Sequence, residues 1–193
     1  MSERAPEEGQ PGLAEIRERL RRKLEGCIRF GRVVLSSGKE TDFYFDGRLV
    51  SLEPEGSVLI AELVLDEVVR RGVEAVGGLT SGADPIASAV GVLACQRGVP
   101  LRLFYVRKAA KEHGLRKRIE GPTLPEGTKV AVVDDVLTTG GSILQAAEAL
   151  REEAKARVTD AIVVVDREEG GRELLESEGL RVTSLFRRTD FQK

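Results

Sequence analysis

The sequence is poor in the residues that mark several common protein classes. Its 193 residues include no tryptophan, one histidine and one methionine, and aromatic residues make up only 4%. The two cysteines, Cys27 and Cys95, lie far apart and form no CxxC pattern. We therefore expect neither a disulfide framework nor a cysteine metal site, and we interpret both as small buried hydrophobic residues of a protein from a reducing compartment.

Long apolar runs and an excess of positive charge are also missing. No stretch approaches the roughly 18 consecutive apolar residues of a membrane span, and residues 1–12, MSERAPEEGQPG, contain no apolar signal core. The formal net charge of -2 argues against a general nucleic-acid binder, which needs a basic face. We expect a cytoplasmic protein with neither nucleic acid nor a membrane among its partners.

The length and composition are those of one globular domain. A chain of 193 residues that is 41% hydrophobic and 32% charged is long enough to bury a full core. Residues 1–12 are rich in Glu, Pro and Gly and are predicted to form a disordered tail, which leaves residues 13–193 as a single domain.

Apolar runs typical of strands alternate with helical patterns along this domain, which favours a parallel sheet covered by helices. Helical spacing predicts an amphipathic helix from Leu13 to Leu24, and two short strands follow at 30–35 and 43–46. Strands of the main sheet are predicted at 73–79, 101–106, 130–133, 161–165 and 182–185, with helices at 57–71, 85–97, 143–150 and 173–178.

The most informative stretch is KVAVVDDVLTTGGS, residues 129–142. Its apolar run, Val130 to Val133, fits a strand covered on both faces. Asp134 and Asp135 follow the run, and we expect them at the carboxyl end of the strand, where open α/β sheets bind ligands. The loop from Thr138 to Ser142 offers hydroxyls and two glycines and leads into a helix, which is typical of a phosphate site.

Two carboxylates beside a phosphate loop need an explanation of their own, because they would repel a bare phosphate. They could bind the 2- and 3-hydroxyls of a ribose or reach Mg²⁺ through water, so a sugar phosphate suits the whole stretch. An ordinary strand-to-helix turn with Asp135 as a cap is the simpler alternative, but it needs neither paired acids nor this combination of hydroxyls and glycines. A Walker-type site is disfavoured because the chain has no GxxxxGK[ST].

The stretch VVDDVLTTGGS resembles the phosphoribosyl pyrophosphate (PRPP) signature of type I phosphoribosyltransferases. The resemblance implies the fold of that family, an α/β fold in which a central parallel sheet is flanked by helices beside a small N-terminal hood at about residues 24–50. It also implies that the acids bind the ribose hydroxyls and that the loop wraps the 5-phosphate. The PRPP-binding residues implied here are Asp134, Asp135, Val136, Leu137, Thr138, Thr139, Gly140, Gly141 and Ser142.

Residues 107–121 are strongly cationic and follow neither strand nor helix periodicity, which indicates a flexible loop. Such a loop can close over pyrophosphate and neutralise its charge as it leaves, although a solvated basic loop is the simpler alternative. The segment VRKAAKEHG resembles the catalytic loop of orotate phosphoribosyltransferases, RKxxKxHG, which reaches into the neighbouring subunit. The resemblance implies a homodimer with a shared loop, PRPP contacts from Arg107, Lys108, Lys111 and His113, and a catalytic role for Lys111.

Three further segments resemble the same family. LSSGKETDFYFDGR is similar to its SGKxSxxYxDxR motif, which implies orotate contacts from Tyr44 and Phe45. Ordinary packing of these two aromatic side chains in a strand is an equally good explanation. Residues 78–85, GLTSGADP, are similar to its pyrophosphate loop. Residues 166–170 resemble its DRxEG segment, which implies that Arg167 pairs with the orotate carboxylate through its planar fork, and Thr138 is implied to contact the orotate ring.

The resemblance implies transfer of the phosphoribosyl group of PRPP to orotate, which yields orotidine 5'-monophosphate and pyrophosphate in de novo UMP biosynthesis. Asp134, Asp135 and Lys111 are the expected catalytic residues, and Mg²⁺ is the expected cofactor, held through PRPP and water. Two alternatives stay open. One is a phosphoribosyltransferase for a purine or another pyrimidine, and the other is a regulator that keeps the PRPP fold and binds nucleic acid.

Overall fold

The computed structural model describes residues 11–34, 40–109 and 117–192. The helices are α1 (Leu13–Glu25), α2 (Arg48–Ser51), α3 (Pro54–Arg70), α4 (Ala83–Gln96), α5 (Gly141–Glu153) and α6 (Gly171–Ser177). The strands are β1 (Ile28–Val34), β2 (Glu40–Phe45), β3 (Ala75–Leu79), β4 (Arg102–Val106), β5 (Ile119–Glu120), β6 (Lys129–Leu137), β7 (Arg157–Asp166) and β8 (Arg181–Arg187). A 3₁₀ turn, Arg188–Phe191, follows β8.

The main sheet has the strand order β5-β4-β3-β6-β7-β8. Strands β4, β3, β6, β7 and β8 are mutually parallel, and the short β5 pairs antiparallel with β4. The expected central parallel sheet is therefore confirmed. Because β6 lies between β3 and β7, the carboxyl ends of three neighbouring strands meet at one edge of the sheet.

Both faces of the sheet are covered, as the unbroken apolar run of β6 predicts. Ala131 and Val133 pack into a core shared with α1, α3 and α4, whereas Val130 and Val132 pack into a second core shared with α5 and α6. All four side chains are fully buried. Successive residues of a strand point to opposite faces, so only a doubly covered sheet accommodates such a run.

The predicted N-terminal strands form a separate antiparallel hairpin, β1 with β2. Phe43 of β2 is fully buried and lies 5.3 Å from the ring of Phe30. Helix α2 follows the hairpin and connects it to α3. This hairpin is the hood expected from the sequence, and it stands beside the main sheet rather than extending it.

The structure differs from the sequence expectations in several places, among them the following. Strand β6 continues through both acids to Leu137, because pairing with β7 carries the hydrogen-bond ladder past the apolar run. Strand β5 lies inside the segment expected to be a flexible loop. Cys95 is exposed on α4 and Cys27 only partly buried, so the expectation of two buried cysteines was wrong. In the described parts of the chain, no helix is long and apolar enough to cross a membrane.

Candidate active site

A cavity of about 310 Å³ opens at the carboxyl edge of the sheet, between the hood and the ends of β3 and β6. It brings together seven of the residues singled out from the sequence. These are Tyr44, Phe45, Lys108, Asp134, Asp135, Val136 and Ser142. The hood, the segment after β4, the strand with the acids and the first turn of α5 therefore converge on one space.

Two larger cavities, of about 730 and 710 Å³, lie away from this edge. The first, beside α1 and α3, is lined by two ion pairs, Arg19 with Glu55 and Arg97 with Glu62. The 310 Å³ cavity instead contains buried carboxylates without such partners. Chemistry rather than size therefore marks it as the functional site.

Asp134 and Asp135 are the electrostatic centre of this cavity. The side chain of Asp134 is buried, and its Oδ1 accepts a hydrogen bond of 3.0 Å from the backbone N–H of Asp135. Burial and the neighbouring charge of Asp135 raise the pKa of Asp134 to about 8. Burial also raises the pKa of Asp135, although hydrogen bonds with Asp134 and the backbone partly offset it. Among the described residues neither carboxylate forms an ion pair, so the pair is poised for a ligand that donates hydrogen bonds or carries positive charge.

Two glycines allow the surrounding segments to approach the acids closely. A Cβ atom at Gly82 would lie 2.5 Å from Oδ1 of Asp134 and 2.8 Å from Oδ1 of Asp135, and one at Gly47 would lie 2.7 Å from Oδ2 of Asp135. Gly82 belongs to the β3–α4 turn, where the Thr80–Ser81 peptide bond is cis. Sequence reasoning assigned no role to Gly47, because its approach to Asp135 is a tertiary contact.

The loop between β6 and α5 has the backbone expected of a phosphate site. Gly140 has φ +83, a left-handed conformation that favours glycine, and α5 begins at Gly141. Thr139 is exposed and Thr138 half-buried, whereas the side chain of Leu137 is buried in the core. Any contact of Leu137 with a ligand must therefore come from its backbone.

The loop packs closely against Gly171, a residue to which the sequence analysis gave no role. A Cβ at Gly171, the first residue of α6, would lie 2.3 Å from the carbonyl oxygen of Thr138. The loop thus rests directly on the backbone at the start of α6. The adjacent pair Gly170-Gly171 in the sequence is the local signal that could have indicated a close approach.

The arms of the cationic segment are fixed to α5. Gln145 donates from Nε2 to the carbonyl oxygen of Lys108 at 2.9 Å, and Arg118 pairs with Glu153 at 2.8 Å. The two arms also meet through a backbone hydrogen bond from Arg107 to Arg118 at 2.9 Å. Lys108 lines the cavity, whereas Lys111 and His113 lie outside the described residues.

Arg167 follows β7 and reaches the hood rather than lining the 310 Å³ cavity. Its Nη2 donates to Oγ1 of Thr41 at 3.0 Å and to the carbonyl oxygen of Phe43 at 3.1 Å, and it pairs with Glu169 at 2.6 Å. The guanidinium lies 5.8 Å from the centre of the Phe43 ring. Its Nε is buried and has no hydrogen-bond partner in the part of the chain that the structure describes. A buried donor without a partner is costly, which points to a ligand acceptor.

Comparison with known proteins identifies the family. Residues 57–181 match the family model described as phosphoribosyl transferase domain. The orotate phosphoribosyltransferase of Synechocystis sp. is 44% identical over 182 residues, which cover 94% of this chain and 91% of that protein. The chain belongs to the orotate phosphoribosyltransferase family.

Solved structures agree with membership of the orotate phosphoribosyltransferase family. The orotate phosphoribosyltransferase of Mycobacterium tuberculosis H37Rv in complex with Fe(III) dicitrate has a TM-score of 0.77 and 40% identity, and the match covers 95% of this chain and all of that one, 100%. The structure of that enzyme in complex with PRPP has a TM-score of 0.75 and 35% identity, covering 91% of this chain and 98% of that one. The type I phosphoribosyltransferase fold expected from the sequence is confirmed.

Within this orotate phosphoribosyltransferase family member, the hood contributes one further cation, the arginine that ends the segment LSSGKETDFYFDGR. Arg48 lines the cavity and binds both carboxylate oxygens of Asp46, at 2.9 and 3.1 Å. Its charge also acts on Asp135 and favours the ionised form of that carboxylate. Arg48 therefore moderates the negative potential of the acid pair without neutralising it.

Proposed function

We propose that the protein transfers the 5-phosphoribosyl group of PRPP to orotate, releasing pyrophosphate and orotidine 5'-monophosphate in UMP biosynthesis. Membership of the orotate phosphoribosyltransferase family supports this activity. The structural observation that carries it is the buried carboxylate pair, Asp134 and Asp135, at the foot of the loop leading into α5. In this proposal the pair accepts hydrogen bonds from the ribose hydroxyls, beside the loop that binds the 5-phosphate.

PRPP is held along β6 and the start of α5 in this proposal. Asp134 and Asp135 bind the ribose hydroxyls and favour the positive charge that develops on the sugar. The backbone N–H groups and hydroxyls from Thr138 to Ser142 bind the 5-phosphate, assisted by the positive end of the α5 dipole. Val136 and Leu137 contribute through their backbone.

In this proposal the base lies against the hood, next to Arg167. The aromatic ring of Tyr44 lines the cavity, and Phe45 lies beside it on β2. A carboxylate on the base would satisfy the buried Nε of Arg167, because a guanidinium binds a carboxylate through two parallel hydrogen bonds. Thr138 is proposed to contact the pyrimidine ring from the opposite side.

Pyrophosphate departs toward the cationic segment. As the ring nitrogen approaches C1 of the ribose, the C1–O bond breaks and its electron pair leaves with pyrophosphate, through an oxocarbenium-like transition state. Lys108 lines the cavity, and Arg107, Lys111 and His113 are the further cations proposed to stabilise the departing charge. We assign no covalent nucleophile, so positioning and electrostatics supply the catalysis.

The acid pair also fits an Mg²⁺ ion that is held chiefly by substrate. The described residues contain no cluster of three or more His, Cys, Asp or Glu side chains that could bind a metal by themselves. Two adjacent carboxylates with raised pKa values would nevertheless favour a nearby cation. When bound to PRPP, Mg²⁺ would neutralise pyrophosphate charge, while Asp134 and Asp135 orient it through water.

We further propose a homodimer in which the cationic loop is shared between subunits, acting in the cytoplasm. The dimer is supported by the resemblance of VRKAAKEHG to the shared loop of the family. Sedimentation of the purified protein with and without PRPP tests the assembly. A single species of about 21.0 kDa under both conditions would contradict it.

A panel of bases tests the activity. With PRPP and Mg²⁺, orotate should yield pyrophosphate, while uracil, adenine and hypoxanthine should yield none above background. Pyrophosphate release with a purine but not with orotate would assign the protein to another phosphoribosyltransferase. An RNA mobility-shift assay over a salt series separates the regulator alternative, for which binding should weaken steeply with salt.

Lys111→Ala tests the proposed catalytic loop. We expect a loss of turnover of about 10²-fold or more, with a smaller change in PRPP affinity, because the ammonium acts mainly on charge that develops in the transition state. Steady-state kinetics with both substrates measure the effect. Unchanged turnover would remove Lys111 from the mechanism.

A further inference from the structure

We propose that Glu169 is a displaceable internal carboxylate that occupies Arg167 between turnovers and thereby limits the affinity of the site for orotate and its product. This inference rests on the proposed function. It concerns a residue for which the sequence motifs implied no role. The argument starts from the hydrogen bonds of a single guanidinium.

Arg167 has an uneven distribution of partners. Its Nη2 carries two hydrogens, yet three acceptors lie within 3.1 Å of it, namely Oε1 of Glu169, Oγ1 of Thr41 and the carbonyl oxygen of Phe43. The neighbouring Nε is buried and unpartnered among the described residues. One side of the guanidinium is crowded and the other is left without an acceptor, so this arrangement is not the best that a carboxylate could make.

Of the three acceptors, Glu169 is the one that can leave. Thr41 and Phe43 belong to β2, where the ladder with β1 holds the backbone. The side chain of Glu169 is 36% exposed, whereas that of Arg167 is 12% exposed. Glu169 can therefore exchange its partner for water, whereas the guanidinium cannot.

The backbone around Glu169 is held in an unusual conformation that presents it to Arg167. Glu168, between the two, has φ +58, which is uncommon for a residue other than glycine. Its backbone N–H donates to Oδ1 of the buried Asp166 at 2.9 Å. Its carboxylate accepts from the backbone N–H of Thr189 at 3.0 Å. These bonds hold the backbone of the turn, so that the side chain of Glu169 starts next to Arg167 but stays free to move.

Binding of orotate is then an exchange of one anion for another. Without substrate, Glu169 compensates a guanidinium that would be costly to leave unpaired in a largely buried site. With substrate, the orotate carboxylate accepts from the unpartnered Nε and replaces Glu169 as the counter-charge of the guanidinium, and Glu169 moves into water. The product retains the same carboxylate, so the return of Glu169 assists its release.

The sign of one kinetic change tests this proposal. In Glu169→Gln the KM for orotate and the inhibition constant of orotidine 5'-monophosphate should each fall roughly two- to five-fold, the range expected for losing a competing, partly exposed ion pair. The KM for PRPP and the inhibition constant of uracil, which has no carboxylate, should stay unchanged. If Glu169 merely oriented Arg167, the KM for orotate would rise. A rise or no change would overturn the proposal.

Glu173→Gln is the matched control, since Glu173 is an exposed acid in the first turn of α6. It removes the same charge without touching Arg167, and we expect no change in the KM for orotate. An equal fall in the KM for orotate in both variants would reveal a general effect of charge. It would overturn the proposal that Glu169 competes directly with orotate for Arg167. Failure of the wild-type protein to use orotate would instead refute the proposed function, so the two failures are distinguishable.

Discussion

Two buried acidic sites lie on neighbouring strands of the same sheet, and only one of them is neutralised. Asp160 in β7 is fully buried, and its Oδ1 accepts hydrogen bonds from Arg71 at 2.6 Å and Arg181 at 2.9 Å. Asp134 in β6 is also buried but has no ion pair among the described residues. Asp160 is in register with Ala131, so the two acids are separated by three residues, or about 10 Å along the strands.

The difference appears in the pKa values. Although burial alone would raise it, hydrogen bonds from Thr159 and Arg71 and the charge of Arg181 lower the pKa of Asp160 below its usual value. Burial and Asp135 raise the pKa of Asp134 to about 8. The pKa values of two buried aspartates on adjacent strands are therefore shifted in opposite directions. Asp160 is thus neutralised within the fold, whereas Asp134 is left without an ion pair among the described residues, as expected of a carboxyl group that binds a ligand.

Asp160→Asn should lower the stability of the protein without impairing the proposed active site. It removes one of the two carboxylate partners of the largely buried Arg71, and Glu67 stays as the other. The loss should therefore lie at the lower end of the range of about 3–5 kcal/mol for removal of one member of a buried ion pair. Denaturant titration should show this loss in the free energy of unfolding, while the KM for PRPP of the folded protein stays near that of the wild type. Arg181→Ala, which alters a 58% exposed partner, should cost about 1 kcal/mol or less. Equal losses would mean that the network is not centred on Asp160.

Asp134→Asn should do the reverse, lowering activity while raising stability. We expect kcat/KM for PRPP to fall about 10²-fold because a transition-state contact is lost. At pH 8 the free energy of unfolding should rise by about 0.5–2 kcal/mol, because a buried carboxyl group whose ionisation is unfavourable is removed. Kinetics and denaturant titration on the same preparation measure both. Glu148→Gln, at an exposed site on α5, should change neither. A loss of stability in Asp134→Asn would show that the carboxylate serves the fold.

The pH dependence of stability sharpens the comparison further. Between its ordinary pKa near 4 and the folded value of about 8, Asp134 binds more protons in the folded state than in the unfolded state. The stabilisation that protonation provides is therefore lost as pH rises through this window. The lowered pKa of Asp160 acts in the opposite sense, and its contribution is lost only as pH falls below about 4.

Wild type and Asp134→Asn should consequently diverge with pH. As pH rises from 5 to 8, the free energy of unfolding of the variant should increase by roughly 1–2 kcal/mol relative to that of the wild type. This is less than the limit for a fully isolated group, which is about 1.4 kcal/mol for each pH unit. Denaturant titrations at pH 5, 6.5 and 8 measure the difference. A difference that is constant across this range would exclude a raised pKa at Asp134.

Gly82→Ala should disturb the functional side without the loss of any charge. The new Cβ would lie 2.5 Å from Oδ1 of Asp134, so the turn or the carboxylate must move. We expect kcat/KM for PRPP to fall about 10-fold, since displacements of about 1 Å at a catalytic group have effects of this order or larger. Gly26→Ala, where the nearest atom is 3.5 Å away, is the control and should leave the kinetics unchanged. Equal activity in both variants would show that the turn yields freely.

Much of the fold could be predicted from the sequence because its signals are local. The run Val130 to Val133 and the helical spacing from Leu13 to Leu24 each report which faces are covered, and the structure confirms both elements. The order of strands and helices then allows few parallel arrangements. The continuation of β6 to Leu137 could not be read in this way, because its pairing with β7 is not encoded in apolar periodicity.

The residues of the site that belong to short local motifs could be predicted from the sequence. Asp134 and Asp135 could be found because they follow a strand and precede a glycine loop, and Tyr44, Phe45 and Lys108 could be found through motif resemblance. Gly47 and Gly171 could not, because their roles depend on how distant segments approach the acids and the loop. The roles of Lys111 and His113 stay predictions, since both lie outside the described residues.

The backbone hydrogen bond from Arg167 to the carbonyl oxygen of Leu137, 2.9 Å long, has a consequence for engineering. It joins the strand with the acids proposed to bind ribose to the residue proposed to bind the base, through main-chain atoms alone. We therefore expect that side chains at positions 167 and 169 can be exchanged without shifting Asp134 and Asp135. A redesign toward a base without a carboxylate would begin at those two positions and leave Asp134 to Ser142 untouched.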